Sequence, residues 1–431
     1  IEARYARLFA IEQHVTRETP PPGELLSDRI DRSVTHRVWG PLIFVTVMAL
    51  MFQSIFWLAK YPMDGIEAAV DALSQWVGSS MPPGDLNDLI TRGAIAGVGS
   101  VVIFLPQICL LFLFIGLLED TGYMSRAAFL MDRLMSRVGL HGKSFIPMLS
   151  SFACAIPGIM ATRSIQDPRD RLATIMVAPL TTCSARLPVY TLLIGAFIPE
   201  TEVAGLFNLQ GLVLFALYLF GIVSVFAVAW VMKMLSLRKS EHALLLELPA
   251  YRMPNLRDLL IGLWDRMRIF LRRVGGIILS LTVLLWFLSS FPSPPEGFTG
   301  PAIDYSFAGR IGHALAPLFA PIGFNWQIVL ALIPGMAARE VAVSGLATVY
   351  AVSSDAAGIS QLGSILAAQW SLATALSVLT WYVFAPQCIS TIATIKRETN
   401  SWKYTGYAVV YLFGLAYLFA FLVYQTASAL A

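Results

Sequence analysis

Three cysteines of the sequence lie beside prolines within strongly apolar segments. Cys154 lies in SFACAIPGIMATR, Cys183 in APLTTCSARLPVY and Cys388 in FAPQCISTIATIKRE. Cysteine thiolates bind soft or borderline metal ions in preference to Mg²⁺ or Ca²⁺. Proline breaks a helix, and a membrane tolerates broken backbone only where protein or a water-filled cavity supplies hydrogen-bond partners. The three segments therefore predict metal ligands along a passage through a membrane.

Each of these cysteines also has a simpler interpretation as a small packing residue, which is the usual role of a buried free cysteine. The nearby proline, together with the family resemblance described below, favours the ligand role for the three. Cys109 also follows a proline, in LPQIC, but we interpret it as a packing residue. All four cysteines of the chain lie in apolar segments, which argues against a disulfide framework and predicts reduced thiols.

Other residues of the apolar segments could assist a cation. Glu340 follows Arg339 in PGMAAREVAVSG. A charge at the centre of a membrane helix costs about 2.5–3.5 kcal/mol, so the Glu340 carboxylate must face a partner or water. Glu340 is either a cation ligand or gate charge, or the ion-pair partner of Arg339 or of another helix; both interpretations stay open. Met160 and Met336 follow Pro-Gly in PGIM and PGM, where a thioether could assist a soft ion, although methionine more often fills space.

Charged residues also stand at the predicted edges of the membrane. Glu119 and Asp120, in GLLEDTGYM, could pass a cation to the cytoplasm, or they could form a hydrated helix end. Arg163 and Arg186 flank the cysteine segments, and we expect them to pair with carboxylates or helix C-termini. All five histidines fall outside the predicted spans, which disfavours a histidine-based metal site within the membrane.

The composition places the chain in a membrane. Of its 431 residues, 57% are hydrophobic and 13% are charged, whereas soluble domains carry roughly 25% charged residues. Apolar runs long enough to cross the hydrocarbon core of a bilayer occur near 41–59, 93–118, 172–198, 211–232, 274–291, 370–395 and 404–427. The sequence therefore predicts an all-α polytopic membrane protein.

Two further apolar segments are interrupted near their middle. Segment 144–162 contains Pro147 and Pro157, and segment 326–352 contains Pro334. The interruptions predict re-entrant hairpins that enter and leave the membrane on one side. With both hairpins re-entrant, the loops rich in Lys and Arg all fall on one face, as the positive-inside rule requires, and the N-terminus is cytoplasmic.

The same order of elements occurs twice along the chain. A span, an amphipathic helix, a broken hairpin and a span with proline and cysteine follow one another in 93–232 and again in 274–431. The amphipathic segments, SRAAFLMDRLMSRVGL and FAGRIGHALAPLFAPIG, are expected to lie along the interface. Because the two copies start on opposite sides, they would form an inverted repeat, a recurring transporter architecture. The other predicted parts are a cytoplasmic connector at 1–40, a first span and external loop at 41–92, and a basic cytoplasmic helical segment at 233–273.

Four strings carry a resemblance to a known family. In chain order they are FLPQICLLFLFIGLLEDTGYMSRAAF, CAIPGIMATR, CSARLPVY and APQCISTIATIKRETNSWK. They resemble the membrane domain of the ferrous iron transport protein B family over residues 27–427. The resemblance implies two Gate regions, which are also similar to those of concentrative nucleoside carriers. The chain departs from the family where it has Ala153-Cys154-Ala155-Ile156-Pro157 in place of Gly-Cys-Asn-Val-Pro, and so lacks an asparagine carbonyl that could be an oxygen ligand.

The resemblance implies a permease domain that imports ferrous iron across the bacterial inner membrane. A cytoplasmic GTP-binding domain would precede it, so we expect the chain to be a fragment that begins in the connector after that domain. GTP and Mg²⁺ would then bind only to the missing domain, and the membrane part would not be an enzyme. The expected partners are the ferrous ion, the lipid bilayer, the GTP-binding domain, a small cytoplasmic accessory protein and other copies of the chain, but not nucleic acid.

Two other functions stay open at this point. One is a carrier for an organic solute such as a nucleoside, with the hairpin tips around the substrate. The other is a non-transporting membrane scaffold or receptor whose Gate fold holds a soluble partner. Uptake that is indifferent to iron chelation would favour the carrier, and the absence of iron uptake in liposomes with the GTP-binding domain restored would favour the scaffold.

Overall fold

The structure, a computed structural model, describes residues 26–137, 142–203, 207–235, 251–293, 302–337, 339, 341–350, 356–386 and 388–430. The regular structure of these residues is helical apart from one short antiparallel pair, β1 Glu202–Val203 and β2 Phe207–Asn208. Six described segments are long and apolar enough to cross a membrane, and there are up to seven if a helix pair bent by 100° is one span. The predicted all-α polytopic membrane protein is confirmed.

The described part begins with a short helix and then a very long one. Helix α2 has 42 residues, which corresponds to about 63 Å, roughly twice the hydrocarbon thickness of a bilayer. The helix continues past the apolar run at 41–59 as far as Ser80, and so extends through much of the segment 41–92 predicted as a first span and external loop. The helices of this part are α1 Leu26–Val34, α2 Trp39–Ser80, α3 Asp85–Asp88, α4 Ala96–Ile103 and α5 Leu105–Asp120.

The first predicted hairpin is a pair of packed helices that is broken at Cys154. The amphipathic helix α6, Tyr123–Arg137, precedes it. Helices α7, Phe145–Ala153, and α8, Ala155–Ala161, pack against each other. Between them Cys154 has an extended backbone, with φ −156° and ψ 128°. The broken hairpin predicted for 144–162 is therefore confirmed.

The span that follows is interrupted midway. Helix α9, Pro168–Val177, and helix α10, Leu187–Phe197, are joined by the 3-10 turns Ala178–Leu180 and Ser184–Arg186 with extended residues between them. Helix α11, Leu209–Leu235, then crosses without a break. The first repeat thus contains the predicted order of amphipathic helix, hairpin and broken span.

One predicted span is the second half of a longer helical segment. Helix α12, Leu256–Phe270, continues through the π-helical residues Leu271–Gly275 into α13, Gly276–Ser290. The predicted span at 274–291 corresponds to α13, which has 15 residues and is about 22 Å long. By itself α13 is therefore shorter than a typical membrane-spanning helix.

The second hairpin again follows an amphipathic helix. The short helix α14, Ala302–Tyr305, is followed by α15, Phe307–Phe319. The hairpin helices come next, α16, Trp326–Ala337, and α17, Val341–Val349, and these two pack against each other. Helix α15 with its 3-10 extension to Ile322 meets α16 at 100°. A bend of this size suits a helix along the interface that is followed by one entering the membrane.

The C-terminal part repeats the pattern of a broken span followed by an unbroken one. Helix α18, Ala356–Gln369, leads to α19, Leu372–Phe384, and α20, Ile389–Thr399, with a break between the last two. Helix α21, Trp402–Leu430, is continuous. The described elements of both repeats therefore occur in the same order.

The two broken spans form the centre of the protein. In the most apolar stretch of each, 67% and 76% of the residues are buried, against 17–25% in the other four candidate spans. Ala408, Ala416 and Ala420 of α21 are fully buried, and such small residues allow α21 to pack closely on α19. The broken helices therefore lie among protein, which is where a membrane tolerates open backbone.

Candidate functional site

Two of the three candidate cysteines stand at the start of helices that pack together. Cys154 directly precedes α8 and Cys388 directly precedes α20, and the backbone of Cys388 is also extended, with φ −161° and ψ 165°. Helices α8 and α20 contact each other. Just beyond the C-terminal end of α8, Arg163 donates to both carboxylate oxygens of Glu398 in α20, at 2.8 and 2.6 Å. Because Arg163 and Glu398 join the C-terminal ends of the two helices, Cys154 and Cys388 both lie toward the opposite, N-terminal end of the pair.

These two cysteines have different surroundings. Cys154 is partly buried and packs against an apolar cluster from α2 and α5. That cluster consists of Met48, Met51, Ile55 and Leu111. Cys388 is also partly buried, and its Sγ lies 3.3 Å from the hydroxyl oxygen of Thr391. Cys154 therefore has an apolar side, whereas Cys388 has a polar neighbour.

The third cysteine lies in a buried polar region. Cys183 is 4% exposed, and its carbonyl oxygen accepts a hydrogen bond from the backbone N–H of Arg186 at 3.2 Å. The thiol is close enough to Arg339 and Tyr190 to interact with them electrostatically. The surroundings of Cys183 thus differ from those of a cysteine that only packs among apolar side chains.

Two buried arginines converge on the C-terminal end of α19. Arg186 donates from Nη1 to the carbonyl oxygen of Val383 at 2.8 Å and from Nη2 to that of Ala385 at 3.2 Å. Arg339 Nη2 donates to the carbonyl oxygens of Ala385, at 2.9 Å, and of Pro386. The predicted pairing of Arg186 with a helix C-terminus is confirmed, as is the predicted pairing of Arg163 with a carboxylate.

Some polar atoms near these arginines are buried without a hydrogen-bond partner. Among the described residues they include Thr182 Oγ1, Arg186 Nε and Tyr190 Oη. More than about 90% of buried polar groups in folded proteins are satisfied by protein or by ordered water. The side chains of Tyr190 and Arg186 interact with each other, so these two residues belong to one polar region of the protein interior.

No closed metal cage is formed by the part of the chain that the structure describes. In that part, no three or more His, Cys, Asp or Glu side chains stand close enough together to hold a metal ion. The three candidate cysteines therefore do not form a three-thiolate site in this conformation. A sparse ligand set is compatible with transport, because an ion that binds too tightly does not leave.

The remaining candidate residues are dispersed. Glu119 and Asp120 are exposed at the end of α5, while Met160 in α8 and Met336 in α16 are partly buried. Glu340 lies outside the described residues. The predicted roles of these five residues in handling a cation stay predictions.

A charged cluster that sequence reasoning missed joins three distant parts of the chain. The carboxylate of Asp31 in α1 accepts hydrogen bonds from Arg126 of α6, at 2.9 and 3.2 Å, and from the hydroxyl of Tyr251 at 2.9 Å. The hydrogen bond from Arg126 holds the pKa of Asp31 below its usual value, and burial raises the pKa of Tyr251 to about 12. No local signal reveals this cluster, because Tyr251 is 220 residues away from Asp31.

The fold is that of a polytopic membrane protein with discontinuous helices. It has two packed hairpins, two centrally broken spans and an amphipathic helix ahead of each hairpin. The Gate family model, described as nucleoside recognition, matches residues 101–197 and 271–402. A second model, described as the C terminus of ferrous iron transport protein B, matches residues 214–266. No solved structure matches the chain.

Curated relatives match nearly the whole chain. A Leptospira interrogans protein named Fe(2+) transporter FeoB is 41% identical over 422 residues, which cover 94% of this chain and 60% of that protein. A Leptospira biflexa protein of the same name is 42% identical over 409 residues, 92% of this chain and 59% of that protein. A Porphyromonas gingivalis protein named Fe(2+) transport protein A/Fe(2+) transporter FeoB fusion protein is 38% identical over 465 residues, 98% of this chain and 54% of that protein.

The chain thus spans 54–60% of the length of these relatives. The Gate model covers more than half of the chain, and the second model matches residues between the two Gate matches. The chain belongs to the ferrous iron transport protein B family.

Proposed function

We propose that the chain is the membrane-embedded part of an importer of ferrous ions. The observation that carries the proposal is the position of Cys154 and Cys388, at helix breaks on the same side of the packed α8 and α20. Thiolate sulfur favours a borderline ion such as Fe²⁺ over Mg²⁺ and Ca²⁺. The names of relatives that match 92–98% of the chain support the same substrate.

The ion passes between ligands that act one or two at a time. Weak binding at several sites lets an ion enter and also leave, so Cys154, Cys388 and then the more deeply buried Cys183 each hold the ion transiently. Met160 and Met336 supplement the sulfur ligands. Glu340 serves as an oxygen ligand or as an ion-pair partner, and the exposed Glu119 and Asp120 receive the ion at the inner end of α5.

Further parts complete this function. A cytoplasmic domain that binds GTP and Mg²⁺ gates the passage, and the membrane part itself catalyses no reaction. A small accessory protein assists, in line with the name of the Porphyromonas gingivalis relative, which joins Fe(2+) transport protein A to the transporter. The protein lies in the bacterial inner membrane with its N-terminus in the cytoplasm, can associate with other copies, and has no nucleic-acid partner.

Iron uptake by the full-length protein in liposomes tests the proposal. Fe²⁺ is supplied anaerobically outside, and a ferrous indicator is enclosed inside. Replacing Cys154, Cys183 or Cys388 singly by serine is expected to lower the initial uptake rate about tenfold or more, since even outer-shell changes at metal sites cost about that much. The control Cys109→Ser is expected to keep the rate of the unmodified protein. Undiminished uptake in all three test variants would remove the ligand role.

One other candidate function has a specific observation in its favour. The matching Gate model is described as nucleoside recognition, which supports a carrier for an organic solute such as a nucleoside. Radiolabelled nucleoside in the same liposomes separates the two functions. Nucleoside uptake that persists with a ferrous chelator supports the carrier, whereas chelator-sensitive iron uptake without nucleoside uptake supports the importer.

A further inference from the structure

The end of α19 is capped by positively charged side chains. A helix end leaves carbonyl oxygens without intrahelical partners, and inside a membrane these oxygens need other donors. Arg186 and Arg339 supply the donors, and both are at most 3% exposed. Arg186 follows the break at Cys183, and Arg339 lies in the break between α16 and α17. The three breaks of the central helices therefore meet at these carbonyl oxygens.

Capping alone does not account for two positive charges. The guanidinium groups of Arg186 and Arg339 lie close together, because both donate to the carbonyl oxygen of Ala385, and burial of charge is costly. A neutral hydroxyl performs the same task elsewhere in α19, where Ser377 donates to the carbonyl oxygen of Ile322 at 2.7 Å. The negative end of the helix and the ring of Tyr382, 4.8 Å from the Arg339 guanidinium, compensate part of the cost.

Carbonyl oxygens at a broken helix end are also the groups with which discontinuous transport helices coordinate cations. Here the oxygens of Val383, Ala385 and Pro386 point toward cationic nitrogens. These three carbonyl oxygens therefore face a position that is filled by positive charge.

We propose that the carbonyl oxygens of Val383, Ala385 and Pro386 form an oxygen-ligand cation site beside Cys388, and that Arg186 and Arg339 occupy this site as tethered cations. The transported ion displaces the guanidinium groups when it binds, and their return expels the ion. This inference rests on the proposed function. It adds oxygen ligands to the sulfur of Cys388 and explains why arginines are present at this helix end.

A pair of substitutions separates charge from hydrogen bonding. Arg339→Gln keeps an amide donor and removes the charge, whereas Arg339→Lys keeps the charge. Fe²⁺ binding to the full-length protein is measured by anaerobic equilibrium dialysis, and uptake is measured in liposomes. The glutamine variant is expected to bind Fe²⁺ about tenfold more tightly, which corresponds to about 1.4 kcal/mol, and to transport it more slowly because no charge returns to expel the ion. The lysine variant is expected to keep the affinity of the unmodified protein.

A purely structural cap predicts a different outcome. Arg339→Gln and Arg339→Lys would then lose stability and uptake together, without a gain in Fe²⁺ affinity, and this result would overturn the inference. If Arg339→Gln does not fold, as judged by gel filtration and thermal unfolding, Arg186→Gln and Arg186→Lys make the same comparison. If neither glutamine variant folds while both lysine variants do, the charges are needed for folding, and the inference is again overturned.

The unmodified protein distinguishes this inference from the proposed function. Chelator-sensitive iron uptake by the unmodified protein, together with no gain of affinity in the glutamine variants, refutes the tethered-cation site and leaves the importer intact. An unmodified protein that takes up no iron refutes both.

Discussion

At the scale of single residues, the chemistry is concentrated where helices stop. Cys154 and Cys388 both have extended backbone directly before a helix, and Arg186 and Arg339 bind the carbonyl oxygens that a third helix leaves open. A broken helix therefore places two kinds of polar group close together, the side chain at the break and the exposed backbone. The prolines near the cysteines indicated these breaks in the sequence.

The buried carboxylate of Glu398 leads to a prediction about stability. Its side chain is 2% exposed and pairs with Arg163, at 2.6 Å, and with Arg171, at 3.0 Å. Glu398→Gln removes the charge and is expected to lower the free energy of unfolding by about 1–3 kcal/mol, seen as a lower thermal unfolding temperature of the purified protein. The exposed Glu200 offers the control Glu200→Gln, which is expected to change nothing. Equal unfolding temperatures for the two variants would contradict the stabilising role.

Residue roles were predictable from the sequence where the residue type limits the alternatives. A buried arginine such as Arg186 must find a carboxylate or carbonyl oxygens. Arg163 is exposed at the end of its helix, and its pairing with a carboxylate followed from its place at the predicted membrane edge. The partner of Arg163 was not predictable, because Glu398 is 235 residues away. The cluster of Asp31 with Arg126 was missed for the same reason, since contacts between distant residues leave no local pattern.

At the scale of elements, close helix contacts depend on small residues. A Cβ on Gly158 in α8 would stand 1.9 Å from the Oγ of Ser151 and 2.6 Å from the carbonyl oxygen of Pro147 in α7. Gly158→Ala is therefore expected to force the first hairpin apart and to destabilise the protein by about 1–3 kcal/mol. Thermal unfolding of the purified variant measures this effect.

The matched control for this substitution is Gly414→Ala. Gly414 lies in α21, and a Cβ there would meet nothing within 4 Å. Alanine has the higher helix propensity, by about 1 kcal/mol, so this variant is expected to be as stable as the unmodified protein or slightly more stable. If Gly158→Ala behaved like Gly414→Ala, the tight packing of α7 on α8 would be refuted.

The existence of elements was predictable, but some of their ends were not. Apolar length and internal prolines identified six of the seven predicted spans and the broken helices of both hairpins, because the bilayer imposes those features directly. Hydropathy reports which residues contact lipid or apolar neighbours, and it does not report where the helical backbone stops. For this reason α2 continues to Ser80 beyond its apolar part, and α13 is joined to α12 through Leu271–Gly275.

At the scale of the whole molecule, two connections hold the parts together. The broken spans pack at the centre with α21. On the outside of this core, Asp31 of α1 holds Arg126 of α6, the helix that leads into the first hairpin. The guanidinium of Arg126 also lies 4.0 Å above the ring of Tyr251. These contacts tie α1 to the helix next to the hairpin.

The pH dependence of this connection follows from the lowered pKa of Asp31. A carboxyl group whose pKa is lowered in the folded protein contributes stability above its unfolded pKa, and this stability is lost as the pH falls through the folded value. The contact of α1 with α6 is therefore expected to be unchanged between pH 7 and pH 5 and to weaken only below about pH 4. Spin labels at the exposed positions Ile30 and Phe129 measure the distance between these helices.

The variant Asp31→Asn is the control for the pH experiment. It removes the charge that Arg126 binds, so the longer or broader label distance is expected already at pH 7 and without further change on acidification. A distance in the unmodified protein that changed between pH 7 and pH 5 would contradict the assignment to Asp31.

The central claim is that sulfur at the helix breaks binds the ferrous ion. X-ray absorption spectroscopy at the iron edge, on the full-length protein loaded anaerobically with Fe²⁺, tests it most directly. We predict sulfur in the first coordination shell of iron, and less of it in Cys154→Ser and in Cys388→Ser, whereas Cys109→Ser keeps the full signal. A first shell of only oxygen or nitrogen, unchanged in the two test variants, would contradict the account.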